Sequence, residues 1–156
     1  TSNRVLATFT SWLSEKNKPV FVISTANNID LLPLEIIRKG RFDEIFFLDL
    51  PKKEEREEIF KIHLKEFRPN SWESFDYSLL AESSDSFSGA EIRQSIIEGM
   101  YHAFYEKREF LTEDICLALD ELIPVANLES DQMIKLQNWA SSGRIRSASS
   151  KRIYLN

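Results

Sequence analysis

The sequence predicts an α/β segment followed by an all-α segment, and three patterns indicate that order. Two short apolar runs, at residues 20–24 and 44–50, are rich in β-branched and aromatic side chains, which is typical of strands buried on both faces. Each run follows a helix-like segment, and such alternation is typical of an α/β layer. After Pro51 the apolar residues recur only at helical spacing. We therefore expect an α/β piece, a helical subdomain, and a C-terminal helix with a basic, serine-rich tail, at residues 1–51, 52–125 and 126–156.

Length and composition exclude several classes of protein. With 156 residues, 42% of them hydrophobic, the chain can bury the core of one medium domain or of two small lobes. The formal charge of −5 gives no nucleic-acid signal, because general nucleic-acid binders are usually basic. The single cysteine cannot form an internal disulfide, and no apolar run approaches the ~18 residues of a membrane span. The chain begins at Thr1, inside a predicted helix, so we expect it to be part of a longer protein.

Periodicity and breaker residues define the elements of the N-terminal piece. Residues 2–16 form a predicted amphipathic helix, which Pro19 prevents from continuing. Its predicted apolar face comprises Val5, Leu6, Phe9, Trp12 and Leu13. Between the two apolar runs, residues 32–40 are predicted to form one or two helical turns that stop at Gly40. The order is therefore helix, strand, helical turn and strand.

The helical subdomain is predicted as a series of amphipathic helices, of which the first, at 52–67, is strongly charged. Its predicted inward residues are Ile59, Phe60, Ile62, His63 and Phe67. Further helices are predicted at 75–85, at 86–109, from residue 112 to 122 and at 130–142. Ser88 has the capping-box partner Glu91 three residues later, and Thr112 is the predicted cap of the helix that follows.

Three stretches carry a resemblance to a known family. FVISTANNIDLLPLEIIRKGRFDEIFFLDLP, residues 21–51, resembles the second region of homology of AAA-family ATPases. REEIFKIHLK and FSGAEIRQ resemble the nucleotide-contacting parts of the helical lid in that family. The resemblance covers most of the chain. It implies the C-terminal part of an αβα P-loop NTPase core, with about two strands present, followed by a helical AAA lid.

A narrower resemblance lies within the family. The stretches RKGRFDEIFF, FSGAEIRQ and WASSGRIRSAS are similar to the AAA-type ATPases of the hypothetical chloroplast reading frames in algal plastids and cyanobacteria. This resemblance implies a protein of the cytoplasm or of the plastid stroma.

Asn27, at the end of the first apolar run, matches the sensor-1 residue of the family. There the residue lies between the γ-phosphate of the nucleotide and the acidic motif that polarises the attacking water. A short amide suits that position because it can hydrogen-bond a phosphate oxygen and a water together. The alternative is an asparagine that only makes a turn, since the pair Asn27–Asn28 is also good turn chemistry.

Arg38 and Arg41 match the arginine fingers of the family, which reach the nucleotide of the neighbouring subunit. Phosphoryl transfer builds charge on the γ-phosphate oxygens, and the planar guanidinium, always charged, meets that charge well. Gly40 permits the tight bend between them. The alternative is a surface pair bonded to Asp43 and Glu44.

The resemblance places nucleotide contacts on two helices of the lid. Ile59 and His63 match the positions that flank adenine and ribose, and their spacing of four puts them on one helix face. Gly89 and Ala90 match the small pair beneath the base, where the nucleotide can approach the backbone and the positive helix end. The alternatives are a core histidine and an ordinary helix cap. Arg93 is predicted to be solvated or salt-bridged rather than a phosphate contact.

Departures from the family limit what this chain can do alone. The phosphate loop, a Gly-rich turn that ends in Lys and Ser or Thr, does not occur in these residues, and neither does the magnesium-binding acidic strand end. We therefore expect ATP and Mg to bind to the intact protein, and the chain alone to be inactive. His63, His102 and Cys116 lack the spacing of metal ligands, so no metal site is predicted in the chain.

The function implied by the resemblance is ATP hydrolysis in a ring of identical subunits, a hexamer when intact, that acts on an unknown macromolecular client. Two alternatives stay open: a non-catalytic nucleotide-sensing subunit, and a helical adaptor or assembly module. The tail is either a contact for an acidic partner or neighbouring subunit, or a segment with no fixed role. Its basic residues are Arg144, Arg146, Lys151 and Arg152.

Overall fold

The computed structural model describes residues 2–28, 30, 36, 41–128, 130–141 and 145–149. The chain divides into two compact units. One, here called the mixed unit, comprises Thr1–Leu48 and Leu136–Asn156, and the other, the helical unit, comprises Asp49–Lys135. The boundary between Leu48 and Asp49 lies near the one expected at residue 51. The boundary between Lys135 and Leu136 groups the chain from Leu136 onward with the N-terminal residues, whereas the sequence suggested a separate C-terminal piece.

The mixed unit begins with helix α1, Ser2–Glu15, as predicted. Its buried stripe is narrower than the predicted one. Leu13 is buried, but Val5 and Trp12 are exposed, so these two residues flank the stripe rather than form it. The Trp12 ring stacks on Phe9 with ring centroids 5.9 Å apart, which shields part of both side chains on the helix surface.

The predicted buried strand at residues 20–24 is wrong for this structure. The segment has no regular secondary structure, and Phe21 and Ile23 are 91% and 79% exposed. A strand forms only where a neighbouring backbone supplies hydrogen bonds, and no described segment pairs with these residues. An apolar run indicates a tendency to be buried, but it cannot supply the pairing partner.

The second predicted strand exists but is shorter than expected. Strand β1, Phe46–Phe47, pairs in parallel with β2, Arg146–Ser147, within the mixed unit. The Arg146 amide donates to the Ile45 carbonyl (3.2 Å), and the Ala148 amide donates to the Phe47 carbonyl (2.8 Å). Phe47 is buried while Phe46 is exposed, so β1 is covered on one face and not on both, as the sequence had suggested.

The helical turns predicted at 32–40 lie outside the described residues, apart from Ile36. That residue is helical and buried. Arg38 and Gly40 are among the residues outside the described part of the chain.

The helical unit holds the larger core. Its elements are α2 (Lys53–Phe67), a 3₁₀ turn (Trp72–Ser74), α3 (Tyr77–Ser83), α4 (Gly89–Tyr105), α5 (Thr112–Glu121) and α6 (Val125–Leu128). Helix α7, Ser130–Ser141, begins in this unit and continues past its end at Lys135. The side chains without any exposure include Phe60, Leu64, Leu80, Ile92, Ile96 and Ile115. They come from α2, α3, α4 and α5, so four helices close one core.

The inward face of α2 differs from the prediction at one position. Ile62 is exposed, and Leu64, four residues after Phe60, is fully buried. Residues four apart share a helix face, whereas residues two apart point to different sides. Leu64 therefore continues the Phe60 stripe, and Ile62 belongs to the solvent side.

The cap predicted at Thr112 is wrong. Leu111 is the N-cap of α5, and its amide donates to the Asp114 carboxylate (2.8 Å). Thr112 is the first residue of the helix, and its hydroxyl oxygen accepts from the Asp76 amide (3.1 Å) at the start of α3. Threonine here joins two helices instead of capping one.

Arg56 is a buried cation that the sequence pattern did not single out. Its Nε and Nη2 atoms donate to the Ala81 carbonyl (3.1 and 2.8 Å), and Nη1 donates to the Pro51 carbonyl (2.9 Å). The carboxylate of Asp85 lies 3.4 Å from Nη2. The guanidinium therefore ties the start of α2 to the end of α3.

Among the helices that the structure describes, none combines the length and the apolar composition of a membrane span.

Candidate functional site

Two predicted lid contacts, Ile59 and Gly89, are neighbours in the helical unit. Gly89 is the first residue of α4, and a Cβ atom placed on it would lie 3.7 Å from the Ile59 Cδ1 atom of α2. That distance is an ordinary van der Waals contact, so the two helices meet here without strain. Ala90, the next residue of α4, is exposed beside this contact. The structure thus brings together residues that two separate motifs singled out.

His63 lies one turn after Ile59 on α2 and is half-buried. Its Nδ1 atom is 3.6 Å from the Glu66 carboxylate, which is too long for a hydrogen bond. Among the described residues this buried nitrogen has no hydrogen-bond partner. His63 lies on the side of α2 that also carries Ile59, but this nitrogen is enclosed by the protein.

The first turn of α4 is closed by the carboxylate of Glu91. As predicted, the Ser88 amide (2.8 Å) donates to this group, and the Ser88 hydroxyl (2.6 Å) donates to it as well. The Val125 amide, at the start of α6, donates to its other oxygen (2.6 Å). Burial raises the pKa of the Glu91 carboxyl, but the hydrogen bonds from the Ser88 hydroxyl and from the Val125 and Ser88 amides outweigh it and lower that pKa below its usual value.

The contact with Val125 was not predicted, because no local pattern connects residues 34 positions apart. Arg93, on the same helix, is exposed, and its guanidinium lies 5.2 Å from the centre of the Phe67 ring. That distance is within the range of a cation–π contact.

Asn27 belongs to the mixed unit, where it is exposed in a bend. Its neighbour Asn28 accepts a hydrogen bond from the Asp30 amide (2.9 Å) through its side chain, as turn-forming asparagines do. The turn chemistry of this pair therefore belongs to Asn28. Asn27 does not follow a strand here, because residues 20–24 form none.

Arg41, also in the mixed unit, is half-buried. Its Nη1 atom donates to the Thr10 carbonyl of α1 (2.9 Å). Glu44, an alternative partner suggested by the sequence, lies instead 3.4 Å from the Arg146 guanidinium. The side chain of Arg41 is therefore fixed to α1. Arg38 lies outside the described residues, as do the tail residues Arg144, Lys151 and Arg152.

In the described part of the chain, no group of three or more His, Cys, Asp or Glu side chains is placed to hold a metal ion. Cys116 packs half-buried against the core. Burial raises the pKa of its thiol, although a hydrogen bond with Ser83 opposes the shift. A raised pKa disfavours the reactive thiolate, which agrees with a packing role.

Comparison with known proteins places these residues in context. Residues 1–50 match the model of the ATPase family associated with various cellular activities (AAA). The whole chain is 77% identical to the uncharacterized AAA domain-containing protein ycf46 of Trieres chinensis and covers 31% of it. The protein of the same name from Gracilaria tenuistipitata var. liui is 58% identical over 96% of the chain, which covers 30% of that protein.

A more distant relative is the proteasome-activating nucleotidase of Sulfurisphaera tokodaii. It is 33% identical over 66% of the chain, which covers 26% of that protein. The chain thus spans between a quarter and a third of the length of these relatives. The family match and the identity along the full length support one conclusion. This chain belongs to the AAA family of ATPases and is similar throughout to the ycf46 proteins of plastids.

Proposed function

We propose that this chain supplies the distal part of an ATP site in an oligomeric AAA ATPase. The assigned residues are Asn27 as sensor 1, Arg38 and Arg41 as arginine fingers, and Ile59, His63, Gly89 and Ala90 as lid contacts to adenine and ribose. The observation that supports the proposal best is the meeting of Ile59 and Gly89, which lie 30 positions apart in two different motifs. The family membership supports it independently.

The lid residues suit the neutral part of a nucleotide. Ile59 offers an apolar surface, and the small side chains of Gly89 and Ala90 let a planar base approach the backbone of α4. The half-buried imidazole of His63 lies one turn from Ile59, and an imidazole nitrogen can hydrogen-bond a ribose hydroxyl. Bound ATP would supply the phosphoryl group that is transferred to water.

The residues of the mixed unit suit the phosphate end. Asn27 presents an exposed amide that can hold water and a phosphate oxygen together. One Arg41 nitrogen donates to the Thr10 carbonyl, and a guanidinium has five N–H donors, so further donors remain for a phosphate. Arg38 would supply the second guanidinium to the nucleotide of the next subunit.

The rest of the site would come from the remainder of the protein. The relatives are about three times as long as this chain, which leaves room for a phosphate loop and for the ligands of Mg. We expect a hexameric ring of identical subunits in the cytoplasm or plastid stroma, working on a macromolecular client. The chain by itself should not turn over ATP.

Mixing two inactive variants of the full-length protein tests the trans assignment. Arg38→Ala should lower turnover by roughly 10³-fold, the worth of an arginine finger, and Asn27→Ala should also abolish rapid turnover. A site of an Arg38→Ala subunit beside an Asn27→Ala neighbour holds an intact sensor and an intact finger. Mixed rings should therefore regain ATPase activity that neither variant has alone.

Mixing Arg38→Ala with Arg41→Ala is the matched control, because every site in that mixture lacks one arginine. Activity regained with the Asn27→Ala partner but not with the Arg41→Ala partner supports fingers that act across the subunit boundary. Absence of complementation in both mixtures contradicts it. If the unmodified protein binds ATP without hydrolysing it, the nucleotide-sensing alternative replaces the enzyme, and if it does not bind ATP, the adaptor alternative does.

A further inference from the structure

The Glu91 carboxylate joins two segments that are distant in sequence. Its three hydrogen bonds come from Ser88, at the start of α4, and from Val125, at the start of α6. A capping box needs only the Ser88 contacts. The Val125 amide is the additional donor, and it would otherwise be one of the unpaired N–H groups at the start of a helix.

The hydrogen bonds of the Glu91 carboxylate lie beside the proposed base contacts. Gly89 and Ala90 stand between Ser88 and Glu91 in the same helical turn. On the other side, Val125 follows the buried Pro124, and the chain then runs through α6 and α7 out of the helical unit. The same carboxylate therefore fixes the backbone that would face the base and the segment through which the chain leaves this unit.

The charge of Glu91 also decides which part of a nucleotide fits this helix end. A helix N-terminus is partly positive and attracts phosphate unless a side chain of the protein compensates it. Here the compensating carboxylate is already present in the first turn. The end of α4 is thus suited to the uncharged base and sugar and not to the phosphates.

We propose that Glu91 is a positioning residue of the nucleotide site. It links the base-facing turn of α4 to Val125, the first residue of α6, and so to the connection between α5 and α6 at residues 122–124. This inference rests on the proposed function. It predicts two effects that thermodynamic linkage requires to occur together. Loss of the hydrogen bond between Val125 and Glu91 weakens nucleotide binding, and nucleotide binding stabilises that hydrogen bond.

The experiment uses the full-length protein and ADP as the probe, with Glu91→Gln and Val125→Pro as test variants. Proline at the first position of a helix removes the Val125 donor without disturbing the helix, so the capping box stays intact. Glu98→Gln is the control, because Glu98 lies on the same helix and, among the described residues, accepts a hydrogen bond from the neighbouring Gln94 side chain alone (2.6 Å). Calorimetry measures ADP affinity, and hydrogen exchange measures the protection of residues 122–128 with and without ADP.

Both test variants should bind ADP roughly three- to tenfold more weakly, a part of what a hydrogen bond to a charged acceptor contributes. The control should match the unmodified protein. A contact to the base acts equally in the ground and transition states, so KM for ATP should rise while kcat stays within about twofold. ADP should slow exchange at 122–128 in the unmodified protein and should not do so in the test variants.

A purely structural role would lower thermal stability without changing ADP affinity or the response of exchange to ADP, and that result would overturn the inference. If Glu91→Gln does not fold, Val125→Pro decides the question alone. Failure of the proposed function looks different, because the unmodified protein would then show no ADP binding. Normal binding with identical affinities in all variants rejects only the role of Glu91.

Discussion

The two units contain similar apolar residues but place them differently. In the helical unit, Phe60 and Ile92 have no exposed surface, whereas in the mixed unit Phe21 and Leu48 are more than four-fifths exposed. An amphipathic helix satisfies its own backbone and needs only a neighbouring helix to cover its stripe. A strand needs a pairing partner and a covering layer as well. Helices within residues 49–135 therefore bury one another's apolar side chains, while no described segment covers the apolar side chains of Phe21 and Leu48 in the mixed unit.

The largest expected difference between the two units is the loss of stability when one phenylalanine in each is replaced by alanine. Phe60→Ala should lower the free energy of unfolding of the helical unit by about 3–5 kcal/mol, because it leaves a cavity in a filled core. Phe21→Ala should change stability by less than about 0.5 kcal/mol. Urea titration checks both. Trp72 fluorescence reports the helical unit in a background where Trp12 and Trp139 are phenylalanine, and Trp12 fluorescence reports the mixed unit in a background where Trp72 and Trp139 are phenylalanine. A large loss in Phe21→Ala would show that the run at 20–24 is buried in solution.

Loss of the Arg56 guanidinium should have the next largest effect. Arg56→Met leaves the Pro51 carbonyl without its Arg56 donor and leaves the Ala81 carbonyl with the long bond from the Ser84 hydroxyl (3.4 Å), so the helical unit should lose about 3 kcal/mol. The control is Lys53→Met, since among the described residues Lys53 makes a single loose, solvent-exposed pair, with Glu82 (3.7 Å). The same urea titration should show little change for the control. Equal effects in the two variants would mean that burial of Arg56 contributes nothing specific.

Two glycines on α4 provide a matched pair for the close contact of helices. A Cβ on Gly99 would lie 2.9 Å from the Asp114 carbonyl oxygen of α5, so Gly99→Ala should cost about 1–3 kcal/mol as the helices move apart. A Cβ on Gly89 would meet Ile59 at a normal 3.7 Å, and Gly89→Ala should leave the midpoint of thermal unfolding nearly unchanged. Similar melting temperatures for both variants would show that α4 and α5 adjust freely.

The pH dependence of the helical unit should show the smallest effect. A hydrogen bond from Arg108 holds the pKa of the Asp114 carboxyl below its usual value, against the opposing effect of burial and with help from the Leu111 amide. A carboxyl with a lowered folded pKa stabilises the fold above its unfolded pKa of about 3.9, and this contribution is lost as the pH falls through the folded value. Asp114→Asn should therefore lower stability at pH 6 and weaken its dependence on pH below about 4.

Urea midpoints at pH 6, 4 and 3 measure this difference. Asp120→Asn, at an exposed position of the same helix, is the control and should keep the pH dependence of the unmodified chain. An Asp114→Asn variant with an unchanged slope would contradict a specific role for the pair with Arg108.

The sequence predicted those features that depend on near neighbours. Helical periodicity located α1, α2, α4 and α7, and the spacing of Ser88 and Glu91 predicted the cap of α4. It could not predict contacts between distant segments, such as Val125 with Glu91 or Arg56 with Ala81, because nothing in the local pattern distinguishes a charged residue that will be buried from its solvated neighbours. The strand at 20–24 was wrong for a related reason, since pairing depends on a second segment.

For the candidate site, the motifs predicted that Ile59 and Gly89 share a function, and the structure adds that the two residues are neighbours, because a Cβ placed on Gly89 would lie 3.7 Å from Ile59. The motifs indicated residue types but not their local bonds. They did not predict that one Arg41 nitrogen donates to the Thr10 carbonyl. Nor did they predict that the buried Nδ1 of His63 has no hydrogen-bond partner among the described residues. The roles of Asn27 and Arg38 stay predictions.

The pairing of β1 with β2 has a consequence for synthesis on the ribosome. Phe46 pairs with Arg146, so roughly one hundred residues, including the whole helical unit, emerge between the two strands. The helical unit can close its core while the N-terminal segment still waits for its last strand. During that interval β1 has no pairing partner, so Phe46 and Phe47 are the stretch of nascent chain that a holding chaperone would capture.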